Sequence, residues 1–388
     1  MLKLLAGCCV AVGVGLATPA VAWSQEAPVV AEAPAWHAAV DQAVRDEMER
    51  QELVGVAIGV IREGRIAYTA GYGLADRENE VPVTEDTMFR WASISKPVTA
   101  VAAMQLVERG ELDLRADVRD HVLAFPDKGT AITTEQLLSH LSGIVHYSNG
   151  PVIRRPREYD SANPYESVIL ALDRFALSPL VSEPGERYNY STHAYILASA
   201  VVERAGEGTF WEQVQSRICE PLGLQTLQPD YQWVDIPNRA VGYRKIGDHV
   251  FRSTNTDVSW KLGGGGFISN VHDLARFAAA LMNHELVGEA TSQDMWTERL
   301  DREGASRNYG LGLNVSRPNG NLRIAHNGSQ EKARTRMMFY PELRHGVVVM
   351  SNTVHADPGA ITTAIYRAIN ESEDVDAGAA QNLESVGP

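Results

Sequence analysis

Apolar residues recur at Trp36, Val40, Val44 and Met48, the spacing of one face of a helix. Residues 54–61 and 65–73 are dense in Val, Ile and Tyr, and read as two strands joined at Glu63-Gly64. From Ser93 to about Gly247 most periodic stretches are helical. One covers 98–108 and is closed by Gly110; another is opened by Asn163 as N-cap, Pro164 at the first helical position and Glu166, and runs to about Ala176. After four glycines at 263–266 comes a short helix at 271–282. Strand-like runs then return at 310–315, 337–340 and 346–350, and 360–369 closes the body as a helix. Sheet pieces at both ends of the chain with helices between them predict one α/β body, formed by 36–90 and 260–370, that carries a mostly helical domain, 91–259. A site is expected in the crevice between the two.

The ends differ from this body. Lys3, an apolar stretch over residues 4–16 and Ala20-Val21-Ala22 have the layout of an export signal cleaved after Ala22, too short to span a bilayer. Leu5-Ala6-Gly7-Cys8 resembles a lipoprotein cleavage site, but most of the apolar core follows Cys8 instead of preceding it. Residues 23–35 are rich in Pro, Ala and Glu and read as a spacer. Residues 371–388, acidic and without aromatics, predict a disordered tail. The expected location is the periplasm or the exterior.

With 44% hydrophobic and 22% charged residues in 388, the chain can bury a large core, which excludes disorder throughout. Its formal net charge is −14 with no basic block, which argues against nucleic acid and anionic membrane as partners. Cleavage after Ala22 removes Cys8 and Cys9 and leaves Cys219, so no internal disulfide can form. Cys219, between Ile218 and Pro221-Leu222, reads as a packing residue.

Ser93-Ile94-Ser95-Lys96 is an S-x-x-K sequence that opens an amphipathic helix. Residues three apart on a helix share a face, so hydroxyl and amine can exchange a proton. An enclosed lysine loses its proton below the usual range and can act as a base. Taken alone, the same sequence would be a helix cap followed by a solvated lysine. Ser329-Gln330-Glu331-Lys332 matches too, but it precedes a strand, where positions three apart face opposite ways. No G-x-S-x-G, H-E-x-x-H or C-x-x-C occurs, and the 11 histidines lack ligand spacing, which argues against an α/β-hydrolase and against zinc.

Tyr190-Ser191-Thr192 precedes a helical run, and a phenol there could move protons between nucleophile and leaving group. Tyr147-Ser148-Asn149 is its rival, in a polar loop. His326-Asn327-Gly328 follows the short strand-like 322–325; Gly328 would let a substrate approach the backbone, and His326 supplies a donor or a pH-dependent charge.

In that order the three elements resemble the serine β-lactamase and penicillin-binding-protein superfamily, whose signatures are S-x-x-K, Y-x-N or S-x-N, and K-T-G or H-x-G. Gln136-Leu137-Leu138-Ser139-His140-Leu141-Ser142-Gly143-Ile144 and Gly264-Gly265-Gly266-Phe267-Ile268-Ser269 strengthen the resemblance, which covers about 54–369. Within the superfamily the chain is similar to the class C side, and there to the mitochondrial serine β-lactamase-like proteases and their bacterial relatives. Residues 1–22 carry no arginine, unlike a mitochondrial targeting sequence. The resemblance implies an antiparallel sheet flanked by terminal helices, no cofactor, and no metal. It implies that Ser93 attacks a carbonyl, that Lys96 and Tyr190 relay its proton, and that the backbone N–H groups of Ser93 and Ser329 form an oxyanion hole. His326 would orient a substrate carboxylate or polarise Tyr190, with Thr192, Asn327 and Gly328 also at the substrate. Thr192 stands where the family usually has Asn, His326 where true β-lactamases have Lys, and Ser329-Gln330-Glu331 follow Gly328 where more glycine is usual. The expectation is an exported serine hydrolase of amide or ester bonds in a peptide or small molecule. A β-lactamase and a non-catalytic binding protein are the alternatives. Whether Arg154, Arg155 and Arg157 touch substrate or solvent stays open.

Overall fold

The computed structural model describes residues 34–156, 159 and 163–384, with side chains to 372. The expected leader 1–22 and nearly all of the spacer 23–35 lie outside them. Helix α1 (Ala35–Gln51) buries Trp36, Val40 and Val44, the stripe read from the sequence. Strands β1 (Gly55–Arg62) and β2 (Arg65–Asp76) follow, and β3 (Val81–Pro82) closes this end of the sheet. After β4 (Phe89–Arg90) the chain enters the helical part: α2 (Ser95–Glu108), α3 (Thr134–Leu138), α4 (Thr192–Ala205), α5 (Phe210–Val214) and α6 (Glu220–Leu222). Short strands β5 (Gln228–Pro229), β6 (Tyr243–Ile246) and β7 (His249–Arg252) lead to α7 (Leu262–Gly265) and β8 (Phe267–Ser269). The chain ends with α8 (Val271–Met282), α9 (Glu289–Met295), β9 (Asn314–Ser316), β10 (Arg323–Gln330), β11 (Ala333–Tyr340), β12 (His345–Ser351) and α10 (Pro358–Glu384).

The main sheet is antiparallel, in the order β3-β2-β1-β12-β11-β10-β9, so the two ends of the chain meet at the β1–β12 pair, Val56 opposite Ser351 through Ile61 opposite Gly346. Alternation along β1 then sorts its side chains. Val56, Ile58 and Val60 pack with Val40 and Val44 of α1 and Ile361 and Ile365 of α10. Ala57 and Ile61 face the larger core, against α8. A side chain at Gly59 would meet Ala275 Cβ and Val348 Cγ2 at 2.9 Å, which is how closely α8 lies on the sheet. Fully burying one such valine contributes roughly 1.5–3 kcal/mol.

Helix α2 is buried on nearly all sides, Ser95–Met104 and Leu106 included, against α4 and α7. An enclosed helix of this kind needs no polar face, and it places Lys96 away from water. The small sheet β4-β8-β5 ties the chain just before Ser93 to the glycine-rich segment.

Three expectations need correction. The helix read over 163–176 is two short 3-10 turns, Pro164–Glu166 and Val168–Arg174. Between them Ser167 is extended, and Glu203 of α4 takes hydrogen bonds from Ser167 Oγ at 2.6 Å and Val168 N at 3.2 Å. The strand read over 310–315 is confined to Asn314–Ser316, because Gly312, at φ +83°, turns the chain against α2. The last helix continues to Glu384, into the stretch 371–388 expected to be a disordered tail; residues 385–388 lie outside the described range. Among the described residues no helix is long and apolar enough to cross a membrane.

Candidate active site

Ser93 sits in a 3-10 turn, Ala92–Ile94, that feeds directly into α2. Its predecessor Ala92 has φ +49°, a left-handed conformation that costs a residue with a Cβ roughly 1–2 kcal/mol. The surroundings hold it there. Trp91 donates its backbone N–H to Phe267 O at 2.9 Å and its indole N–H to Ser269 Oγ at 2.7 Å, and its carbonyl accepts from Thr335 Oγ1 at 2.8 Å. The strain is thus balanced by β8 and β11, and it presents the Ser93 hydroxyl to a cleft of about 450 Å³.

Lys96 is fully buried, and its Nζ lies 2.7 Å from Gly264 O, 3.1 Å from Ser93 Oγ and 3.3 Å from Thr192 Oγ1. Burial alone drives its pKa well below the usual lysine range. Nζ donates to Gly264 O, Ser93 Oγ and Thr192 Oγ1; once it has shed a proton, its lone pair can turn to the Ser93 hydroxyl. Tyr190 OH donates to the same Ser93 Oγ at 2.9 Å. Burial pushes the phenol up to about 12, against the pull of that hydrogen bond, so it stays protonated at neutral pH. The nucleophile therefore lies between a base that can take its proton and an acid that can give one.

Two histidines without an assigned role in the sequence hold this arrangement. His140 Nδ1 accepts the backbone N–H of Ser191 and His146 Nδ1 that of Thr192, each at 3.1 Å. Ser191 Oγ completes the N-terminal cap of α4 by accepting from Ala194 N at 3.0 Å. An imidazole can accept only when neutral, and burial keeps both so: His140 well below its usual value and His146 at about 4. Asn149 Oδ1 in turn accepts from His146 N at 2.6 Å. Tyr147, the rival phenol, lines the cleft beside Lys261, its ring 5.9 Å from that ammonium, and Tyr190 is the phenol hydrogen-bonded to Ser93.

His326 on β10 is buried and borders the cleft. Its Nδ1 lies 2.8 Å from Asn327 O, which can only accept, so the ring proton sits there and Nε2 accepts from Tyr309 OH at 3.0 Å. Burial first, then Lys96, lower its pKa to about 3. This corrects the sequence expectation: the ring is a neutral spacer bonded to Tyr309 instead of Tyr190, and both nitrogens are already used. Gly328 needs a second correction. A Cβ there would meet Trp91 O at 2.3 Å as well as Thr335 Oγ1, so its bare face admits the nucleophile's own turn and not a substrate. Asn327 and Ser329, on the alternate positions, are exposed and line the cleft, as do Thr192 and Gln330.

The remaining candidates fall away from the chemistry. Lys332 of the second S-x-x-K bonds to Asn255 Oδ1. Arg155 reaches Asp173 at 3.6 Å, Arg154 is exposed, and Arg157 lies outside the described residues. Cys219 is buried, and burial pushes its thiol up to about 12, which makes it inert. Among the described residues no group of three or more His, Cys, Asp or Glu could hold a metal.

A known family described as Beta-lactamase matches residues 40–370. Over 299 residues the chain is 31% identical to the mitochondrial serine beta-lactamase-like protein LACTB of Homo sapiens, covering 60% of this chain and 54% of the relative. Over 203 residues it is 36% identical to esterase EstB of Burkholderia gladioli, covering 48% and 49%. It thus spans about half the length of these curated relatives. The solved D-amino acid amidase of Ochrobactrum anthropi superposes with a TM-score of 0.73 at 20% identity, over 87% of this chain and 99% of that one, a likeness of fold.

Proposed function

The chain belongs to the beta-lactamase family, and we propose that it is a serine hydrolase that opens an amide or ester through an acyl-enzyme on Ser93. The observation that carries this is the position of Ser93 Oγ, 3.1 Å from the buried Nζ of Lys96 and 2.9 Å from the phenol of Tyr190. Lys96 takes the hydroxyl proton as Ser93 Oγ bonds to the substrate carbonyl carbon. The negative charge passes to the carbonyl oxygen, which the backbone N–H groups of Ser93 and Ser329 receive. Tyr190 gives its proton to the leaving nitrogen or oxygen as that bond breaks, and regains one from Lys96. Water then cleaves the acyl ester by the same relay in reverse.

A leaving amine must be protonated before it departs, whereas an activated alkoxide need not be. The protonated phenol beside the nucleophile therefore favours amides, and peptide-like amides are the first substrates to assay. Thr192 and His326 in place of the amide and ammonium usual for β-lactamases disfavour efficient β-lactam hydrolysis. The reading includes export with cleavage after Ala22, which mass determination of the mature amino terminus checks. The chemistry is tested by treating the folded protein with a fluorophosphonate and mapping the adduct. A single adduct on Ser93, absent from Ser93→Ala, is expected. A natively folded protein that takes no label overturns the proposal.

A further inference from the structure

On the α10 side of the sheet a second cavity, of about 400 Å³, opens between β10–β12 and α10. Its walls include Arg323, Arg336, Tyr340, His345 and Tyr366, and no Asp or Glu. This stands out in a chain of net charge −14. Neither arginine has a carboxylate within 4.0 Å among the described residues. Arg323 donates from Nε to Ser316 Oγ at 3.1 Å. Arg336 has only neutral acceptors, Asn327 Oδ1 at 2.7 Å and Met338 Sδ at 3.3 Å, and its Nε is buried with no partner. Burial and the neighbouring Arg323 both work against its charge; Asp357 works the other way, but its carboxylate accepts from Gly359 N and Ala360 N in its own turn. Two half-buried guanidinium groups without an anion are expensive to hold, and an oxyanion between them would supply the missing acceptor in the fork geometry that arginine favours.

We propose that this cavity binds a phosphoryl group between Arg323 and Arg336. The site shares no lining residue with the Ser93 cleft, although Asn327, which accepts from Arg336, borders that cleft, and the proposal does not rest on the hydrolase reading. A phosphoryl group is chosen over a carboxylate because the Tyr340 hydroxyl adds a donor for a further oxygen beside the two guanidinium forks, whereas Thr363 Oγ1 already donates to Gly359 O at 2.9 Å and Tyr366 OH pairs with His345 Nδ1 at 3.1 Å. Tyr340 and Tyr366 meet edge to face at 6.1 Å with His345 beside both, which makes an aromatic wall that the body of an organic phosphate can lie against.

The test is titration calorimetry of the full chain with inorganic phosphate and with phenyl phosphate, at constant ionic strength against chloride. One saturable site is expected, weakened at least tenfold in Arg323→Gln and in Arg336→Gln, with unchanged melting in the presence of chloride as the folding control. Should Arg336→Gln fail to fold, Arg323→Gln and Arg323→Lys decide, the lysine retaining charge without the fork. Tighter binding of phenyl phosphate identifies an organic phosphate as the occupant, and equal binding identifies free phosphate. The proposal is overturned if wild type shows no saturable binding, if the arginine variants bind like wild type, or if Lys261→Met abolishes binding while Arg323→Gln keeps it, which would place the anion in the catalytic cleft.

Discussion

Two cations are buried within a few residues of the nucleophile, and they are treated in opposite ways. Arg90 on β4, with its side chain 3% exposed, meets the fully buried Asp230, which also holds Arg239; Thr256 O accepts from Arg90 at 3.0 Å. Lys96, six residues later, meets no carboxylate: Gly264 O and two hydroxyls are its hydrogen-bond partners, with the rings of Tyr190 and Tyr195 at 4.9 and 5.5 Å from Nζ. The paired charge is structural: it anchors the strand that leads into the strained Ala92. The unpaired one is pushed by burial toward giving up its charge, and the amine that results can act as a base. Burial is common to both sites; the carboxylate is what separates a strut from a reagent.

The comparison breaks most sharply at Lys96. Lys96→Met should lower kcat/KM for a nitrophenyl ester by about 10³-fold, the scale of a lost general base. Its unfolding free energy should change little, because no buried charge is left unpaired and only the Gly264 carbonyl loses a donor. A urea titration in which Lys96→Met is strongly destabilised would mean that the amine is held as a structural cation after all.

Asp230→Ala should do the reverse. It leaves Arg90 charged and buried with backbone and hydroxyl acceptors alone, which costs about 3–5 kcal/mol in the same titration. At temperatures where the variant is folded, fluorophosphonate labelling of Ser93 should still be seen. An intact stability would remove the contrast between the two regions.

Next in size is a pH dependence of stability. His193, stacked on Phe175 at 4.6 Å, has its pKa lowered to about 4, first by burial, and His146 likewise. Below their usual value of about 6.5 the unfolded chain binds protons that the folded chain refuses until pH 4. Stability is therefore full above 6.5 and is lost as pH falls toward 4, by at most about 1.4 kcal/mol per pH unit for each histidine and less where water screens the ring. Lys96 acts at the other end: the unfolded lysine keeps its proton to about 10.5 while the folded one releases it sooner, so stability rises with pH up to that point. Melting temperatures of His193→Gln should fall less steeply between pH 6.5 and 4 than those of wild type; equal slopes would place that proton elsewhere.

Much of this was legible in the chain, and the missing parts share one cause. The S-x-x-K pair lies within one turn, so its geometry follows from helix spacing; the same holds for the stripe Trp36, Val40 and Val44. Tyr190 was legible through its motif and the helix that follows. The acceptor roles of His140 and His146 were not, because each faces a backbone N–H 51 or 46 residues away and no local periodicity encodes that. Glu203 breaks the expected helix near Ser167 from 36 residues away. Gly328 was seen as special, but its reason, the carbonyl of Trp91, lies on a turn far back in the chain.

Tyr309 is the finest such case and carries the smallest effect. It follows no motif, yet its hydroxyl is the donor that occupies His326 Nε2 at the cleft wall. Tyr309→Phe removes one hydrogen bond of about 1 kcal/mol and leaves the aromatic volume, so kcat should fall only about fivefold. With Nε2 released, the imidazole can bind a proton there, and the acid limb of the pH–rate profile should move to higher pH. KM for a carboxylate-bearing ester should fall at low pH, as the ring gains the charge it lacks in wild type. A fivefold loss with an unmoved acid limb would reduce Tyr309 to packing, and the neutrality of His326 would then rest on burial and on Lys96.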